Sequence, residues 1–396
     1  MRMHTLQLID RYIGVPLCGL LSILPEKRRE VDLGETRNIL VVKMMGLGSI
    51  VLMSPLLRSL RKRYPGARID FLTMKNHEEI GGMYGLVDRV YTVDFSHLGT
   101  CITSNLKTIK DIRSSRYDVL IDAEFYSRYT AILSHLCRPK VIAGFHSRDI
   151  YRGNLRGIKV YFNQYRHMID NFLELAVNVG AHGDSAILSE PILTDSIMED
   201  IRGILSESGI DPYRPYILLN PHVSNTSYYI DRSWPLEYFK EVGIHLHDMG
   251  YQVFVIDAPS GGDSTDRLIQ LSGNKIKRLL RELSLTELMA LIKMAFLLIT
   301  NDSGPLHMAV SVRTATFSFF GTETPVLYGY RLFPHTCFYS GLACSPCLSV
   351  LNFKRGRCEL GVKCMKEIRP GKVIEAFREQ EKQLIDYWTG KKDEEA

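Results

Sequence analysis

At 396 residues the chain is long enough for two domains of ordinary size, and 45% hydrophobic with 23% charged residues excludes a disordered polymer. Its 49 basic and 44 acidic residues give a net charge of only +5, too mild to argue for nucleic acid. Anionic small molecules or an anionic membrane surface suit that balance better.

Residues 12 to 24, YIGVPLCGLLSIL, are mostly apolar and are followed by Lys27, Arg28 and Arg29. Crossing a bilayer takes about 20 apolar residues, so this run is too short, and no small-x-small cleavage site follows it. It suits an interfacial segment whose basic residues meet anionic headgroups; an arm packed on the body is the other reading. Next come apolar runs with strand character: NILVVK (38–43), ARIDFLT (67–73), RVYTVD (89–94) and YDVLID (117–122). Amphipathic stretches such as SPLLRSLRKRY and SRYTAILSHL alternate with them. The pattern restarts after the turn residues DPYRP, with PYILLN (215–220), YQVFVID (251–257), AFLLIT (295–300) and TATFSFF (314–320). Helical stretches WPLEYFKEVGIHLHDMG and SLTELMALIKM lie between them. This order predicts an α/β protein of two Rossmann-like, doubly wound domains facing across a cleft.

Ligands of such sheets bind beyond the carboxyl ends of the strands, and three loops there carry chemistry. The first, Met44 to Ser49, holds Gly46 and Gly48, which let a backbone approach a ligand closely; a plain tight turn would use them equally well. The second is ITNDSGPLHMA, residues 299–309. Asp302 or Ser303 can cap the helix, Gly304 permits close approach, and the free N–H groups favour a pyrophosphate with His307 one turn inside. The third ends in Asp122 and Glu124, acids at a strand end that can serve as general bases; for Asp122 a solvated loop acid or a cap partner is the favoured reading.

The opening motif, NDSGPLHMA and RSWPLEYF together resemble glycosyltransferase family 9, the lipopolysaccharide heptosyltransferase family, over most of residues 37–380. The resemblance implies the GT-B fold and inverting transfer of a sugar, heptose or hexose, from a nucleotide diphosphate donor without a catalytic metal. The donor lies on the C-terminal domain, and the acceptor, a cell-envelope glycan or lipid-linked molecule, on the N-terminal one. It assigns Asp302, Ser303, Gly304 and His307 to the donor, and Arg232, two positions before the Trp-Pro pair, to its phosphates. Gly46 and Gly48 join the binding set.

One departure stands out. Relatives of the heptosyltransferase type carry Gly-Asp in the opening loop, with the Asp as base, whereas this chain reads Gly48-Ser49. A serine hydroxyl is no base near neutral pH without an activating partner. Glu124 is therefore expected to deprotonate the acceptor, with Ser49 capping the following helix or orienting substrate.

Cys18, Cys101, Cys137 and Cys337 are scattered, and read as buried or idle thiols. Cys344, Cys347, Cys358 and Cys364 fall within 21 residues as C-x2-C-x10-C-x5-C, a spacing that suits a structural zinc or iron ion, with two disulfides as the alternative. Some protein-modifying members of the resembled family are similar in carrying a four-cysteine iron site. The expected organisation is an N-terminal arm (1–36), an acceptor-side domain (37–200), a donor domain (201–368) with the cysteine knuckle at 344–364, and a final helix (369–396) returning to the first domain. The implied setting is the cytoplasm, on the inner face of the inner membrane. Rival readings are a catalytically inactive carbohydrate-binding protein, a transferase acting on protein, and an oxidoreductase; the last is disfavoured because neither sheet opens with G-x-G-x-x-G.

Overall fold

The structure is a computed structural model and describes residues 3–23, 32–147, 150–155, 157–183, 185–223, 232–256, 262–279, 281–352, 354 and 356–395. Lys27, Arg28, Arg29 and Asp257 lie outside the described residues. The chain forms two compact units, Met1–Ile192 with Val350–Phe353, and Leu193–Ser349 with Lys354–Ala396.

The first unit carries a parallel sheet of β1 (Asn38–Val42), β2 (Arg68–Met74), β3 (Arg89–Val93), β4 (Val119–Asp122), β5 (Val141–His146) and β6 (Ile158–Tyr161), in the order β3-β2-β1-β4-β5-β6. β1 and β4 are apolar without alternation and buried on both faces, as parallel strands under two helical layers must be. β5 and β6 escaped the sequence pattern. β6 is short and mostly solvent-facing at Lys159 and Tyr161, which removes the apolar signal. The chain order reverses between β1 and β4, so the loops that follow these two strands bound the crevice in which such sheets hold ligands.

The N-terminal arm is two helices, Met3–Tyr12 and Gly14–Ile23, in place of one apolar run. The second packs on the helix Arg128–Cys137, where Cys18 is fully buried with Ala131 and Leu155. Asp10 adds an ion pair to Arg128 at 3.4 Å. Ile9, Tyr12, Ile13, Leu17, Leu20 and Ile23 all remain exposed. Among the described residues no helix is long and apolar enough to cross a membrane.

The second unit repeats the topology. Its strands are β7 (Tyr216–Asn220), β8 (Gln252–Val255), β9 (Lys277–Arg278), β10 (Leu297–Asn301), β11 (Ala315–Phe320) and β12 (His335–Tyr339), in the order β12-β11-β10-β7-β8-β9. Its reversal lies between β7 and β10. Trp234 centres the packing: its ring stacks on Phe319 at 4.0 Å, and its Nε1 donates to Ile368 O at 2.7 Å.

The units divide at residue 192, so the helix Asp195–Glu207 belongs to the second unit, where it buries Ile201, Ile204 and Leu205 and packs on the helix Leu285–Met294. The final helix, Pro370–Glu395, also belongs to the second unit. Its stripe of Val373, Phe377 and Leu384, at helical spacing, completes the core around Trp234 and Phe296, and Tyr387 Oη donates to Arg313 O at 2.8 Å.

Candidate active site

At the reversal of the first sheet, the chain leaves β1 through Lys43 and turns at Gly46, whose φ of +87° lies in the left-handed region that favours glycine. Glu124 follows β4 two residues after the strand end and points into this turn. Its Oε1 accepts from Lys43 Nζ at 2.9 Å and from the Met44 and Met45 amides, both at 2.8 Å. Both side chains of the ion pair are nearly buried. His77 stands on the other side of the turn, its Nδ1 3.0 Å from Met44 O, and burial pushes its pKa down, favouring the neutral ring.

Asp122 differs from the solvated acid expected of it. It is fully buried and ion-paired with Arg152. The same guanidinium donates to the carbonyls of Glu124 and Ser127 and to the Thr130 hydroxyl. A buried carboxylate at a strand end needs such a partner, and here the pair shapes the loop that presents Glu124. Ser49 does not cap the following helix. Gly46 occupies the cap position, no side chain bonds there, and Ser49 sits in the first turn, half-buried. Gly48 is buried in the same turn.

Beyond the carboxyl ends of β5 and β6 the first unit has a cavity of about 750 Å³, lined by His146, Lys159, Tyr161, Tyr165 and Arg166 among others.

At the reversal of the second sheet, strand-end asparagines organise the loops. Asn301 Oδ1 accepts the Trp234 amide at 2.8 Å, and its Nδ2 donates to Pro221 O at 2.8 Å. With Trp234 anchored this way, Arg232 two residues earlier reaches Glu323, its guanidinium 2.7 Å from Oε1. Lys354 Nζ lies 2.9 Å from that same oxygen. Asp302 stands within their field. Burial and the charge of Glu323 raise its pKa, Arg232 and Lys354 oppose them, and the outcome is about 6. Those two cations hold Glu323 below the usual carboxylate range despite its burial.

Ser303 takes the cap position of the helix Gly304–Ser311; its hydroxyl makes no cap bond and accepts from Asn220 Nδ2 at 2.9 Å. His307 is buried one turn in, with Nδ1 3.1 Å from Tyr330 Oη. The structure thus gathers Arg232, Asp302, Ser303, Gly304 and His307 at one end of the second sheet. Sequence reasoning had not named Lys43, Arg152, Glu323 or Lys354. A lone lysine closing an apolar strand, and a glutamate in the turn just after β11, were the available signals.

The four clustered cysteines share one neighbourhood. Burial raises Cys364 to about 11, and the charges of Cys347, Cys358 and Cys344 add to that rise. Cys358 Sγ accepts the Val362 amide at 3.1 Å, a bond that a metal-bound thiolate also takes. The donor chemistry suits a thiolate-held ion, but among the described residues no three His, Cys, Asp or Glu side chains stand as a set that could hold one.

Two Rossmann-type sheets of this topology are the architecture of the GT-B fold. The chain belongs to glycosyltransferase family 9 (heptosyltransferase), whose model matches residues 105–355, and it is a glycosyltransferase. It is 28% identical over 300 residues to lipopolysaccharide heptosyltransferase 3 of Escherichia coli K12, covering 71% of this chain and 81% of that protein. Among solved structures, a family 9 glycosyl transferase from Veillonella parvula superposes with a TM-score of 0.72 at 18% identity, covering 90% of this chain and 100% of the other. The E. coli ADP-heptose LPS heptosyltransferase II superposes with a TM-score of 0.69 at 17% identity, covering 91% and 100%.

Proposed function

We propose that the protein transfers a sugar, heptose or hexose, from a nucleoside diphosphate donor to a cell-envelope glycan or lipid-linked acceptor, with inversion at the anomeric carbon. The observation that carries this reading is the placement of Asp302, Ser303, Gly304, His307 and Arg232 together at the reversal of the second sheet, where doubly wound folds hold nucleotides. The relatives' names, which include ADP-heptose, support a heptose donor and an acceptor of the lipopolysaccharide type. Backbone N–H groups at the start of the helix Gly304–Ser311 and the Arg232 guanidinium would meet the diphosphate and stabilise it as it leaves.

The first unit supplies the acceptor side in this reading. Glu124 is the base: the three donors on Oε1 fix the carboxylate, and Oε2 lies outside that set as the oxygen to take a proton from the attacking hydroxyl. The cavity beyond β5 and β6 supports acceptor binding, since Tyr161 and Tyr165 offer faces to sugar rings, and Lys159 and Arg166 offer charge to anionic groups. The exposed apolar side chains of the arm, followed in sequence by Lys27, Arg28 and Arg29, support attachment to the cytoplasmic surface of the inner membrane. A zinc or iron ion at the four cysteines would be structural, because four thiolates leave no coordination position open.

Calorimetric titration with ADP, GDP and UDP tests the donor assignment. One of them should bind, and His307→Ala should weaken it while the far-UV spectrum is unchanged. Failure of all three to bind would remove the donor site.

A further inference from the structure

The turn after β11 and the cysteine loop are joined by more than one contact. The amides of Cys347 and Leu348 both donate to Thr322 O, at 3.0 and 2.8 Å. Ser345 Oγ bonds to Gly321 O. Gly321 has no room for a side chain, since a Cβ there would stand 2.5 Å from Met365 Sδ and 2.9 Å from Cys364 Sγ. The product of this joining is a cation. Lys354, between the second and third cysteines, reaches Glu323 Oε1 at 2.9 Å and lies 4.9 Å from the Tyr328 ring centroid.

Two cations, Arg232 and Lys354, meet the same Glu323 oxygen, and both lie in the field of Asp302 of the donor motif. A pair of cationic groups this closely spaced matches the two negative phosphate groups of a diphosphate better than it matches a single carboxylate. The Lys354 side chain is 23% exposed on a flexible stem, and Arg232 would keep Glu323 paired were the ammonium to turn toward an incoming anion.

We propose that Lys354 is a second diphosphate-binding cation of the donor site, delivered there by the cysteine loop. The proposal rests on the donor reading above, and no motif that the sequence analysis assigned to the donor includes this lysine. It also gives the loop a purpose in the reaction, as the support that brings one charge to the leaving group.

The test is titration of wild type, Lys354→Met and Lys354→Arg with whichever of ADP, GDP and UDP binds the wild type tightest, and with the matching phosphate-free nucleoside. Lys354→Met should weaken the diphosphate by about tenfold to a hundredfold, the loss expected of one charge-assisted contact. It should leave the nucleoside within about twofold, and Lys354→Arg should restore most of the difference. A Lys354→Met protein that binds the diphosphate as wild type does overturns the assignment. So does one that loses diphosphate and nucleoside alike, because that pattern marks a structural role. If the wild type binds a nucleoside diphosphate and only the Lys354 result fails, the donor reading stands. If the wild type binds none, both fall.

Discussion

Replacing Lys43 by Met removes one member of a buried ion pair whose side chains are only 4% and 3% exposed. Breaking such a pair from one side typically costs about 3–5 kcal/mol, since the remaining charge stays buried. Here the carboxylate keeps the Met44 and Met45 amides, each at 2.8 Å, so about 3 kcal/mol, the low end, is expected. Methionine fills the space of the lysine stem, so what is lost is the ammonium with its ion pair to Glu124 and its hydrogen bond to Met45 O at 2.6 Å. Both tryptophans, Trp234 and Trp388, belong to the second unit, so their fluorescence reports that unit while far-UV circular dichroism reports both. In urea, Lys43→Met should bring forward a dichroism transition and leave the fluorescence transition in place. The double variant with Glu124→Gln should be less destabilised than the sum of the singles, with a coupling of about 1.5–3 kcal/mol. A Lys43→Met midpoint indistinguishable from wild type, or a coupling near zero, would refute the claim that this pair holds the opening turn.

The raised pKa of Asp302 sets a pH test. A carboxyl raised in the folded state contributes stability that is fully present below its unfolded pKa and is lost as pH rises through the folded value of about 6. Asp302→Asn should therefore gain in melting temperature relative to wild type between pH 5 and pH 7.5; a difference that does not change with pH counts against a shifted Asp302. The proposal of a structural ion at the four cysteines, which do not stand as a metal-holding set in this structure, is tested by elemental analysis: about one zinc or iron per chain, lost on replacing Cys344 and Cys347 by Ser, supports it, and a metal-free protein with four reactive thiols rejects it. The arm should bind vesicles containing anionic lipid, more weakly at high salt, and Leu20→Asp with Ile23→Asp should abolish that binding. Equal retention of wild type and the double variant speaks against a membrane face.

What could be read in the sequence was whatever had a local period or a spaced motif. The buried strands β1, β4, β7 and β10 announce themselves as apolar runs, and the loops that follow β1, β4 and β10 hold most of the candidate site residues. β9 is two charged residues and carries no such signal. Pairings across long separations were not legible either. Lys43 meets Glu124 81 positions away, and Arg232 meets Glu323 91 away, distances over which only the sheet order decides contact. Asp122 looked like a loop acid because its partner, Arg152, lies beyond β5 on a stretch without periodicity. The role of the final helix was ambiguous for a related reason: an amphipathic stripe states that a face is buried, not which core receives it.

The central claim is sugar transfer from a nucleoside diphosphate, with Glu124 as the base. Its most direct test is incubation with ADP-, GDP- and UDP-sugars and a truncated envelope-lipid acceptor, followed by mass spectrometry of both products. The wild type should release the nucleoside diphosphate and add one sugar to the acceptor, and Glu124→Gln should slow turnover by about 10²–10⁴-fold while donor affinity is nearly unchanged. No release with any donor would contradict the claim of transfer, and near-full turnover by Glu124→Gln would contradict the assignment of the base.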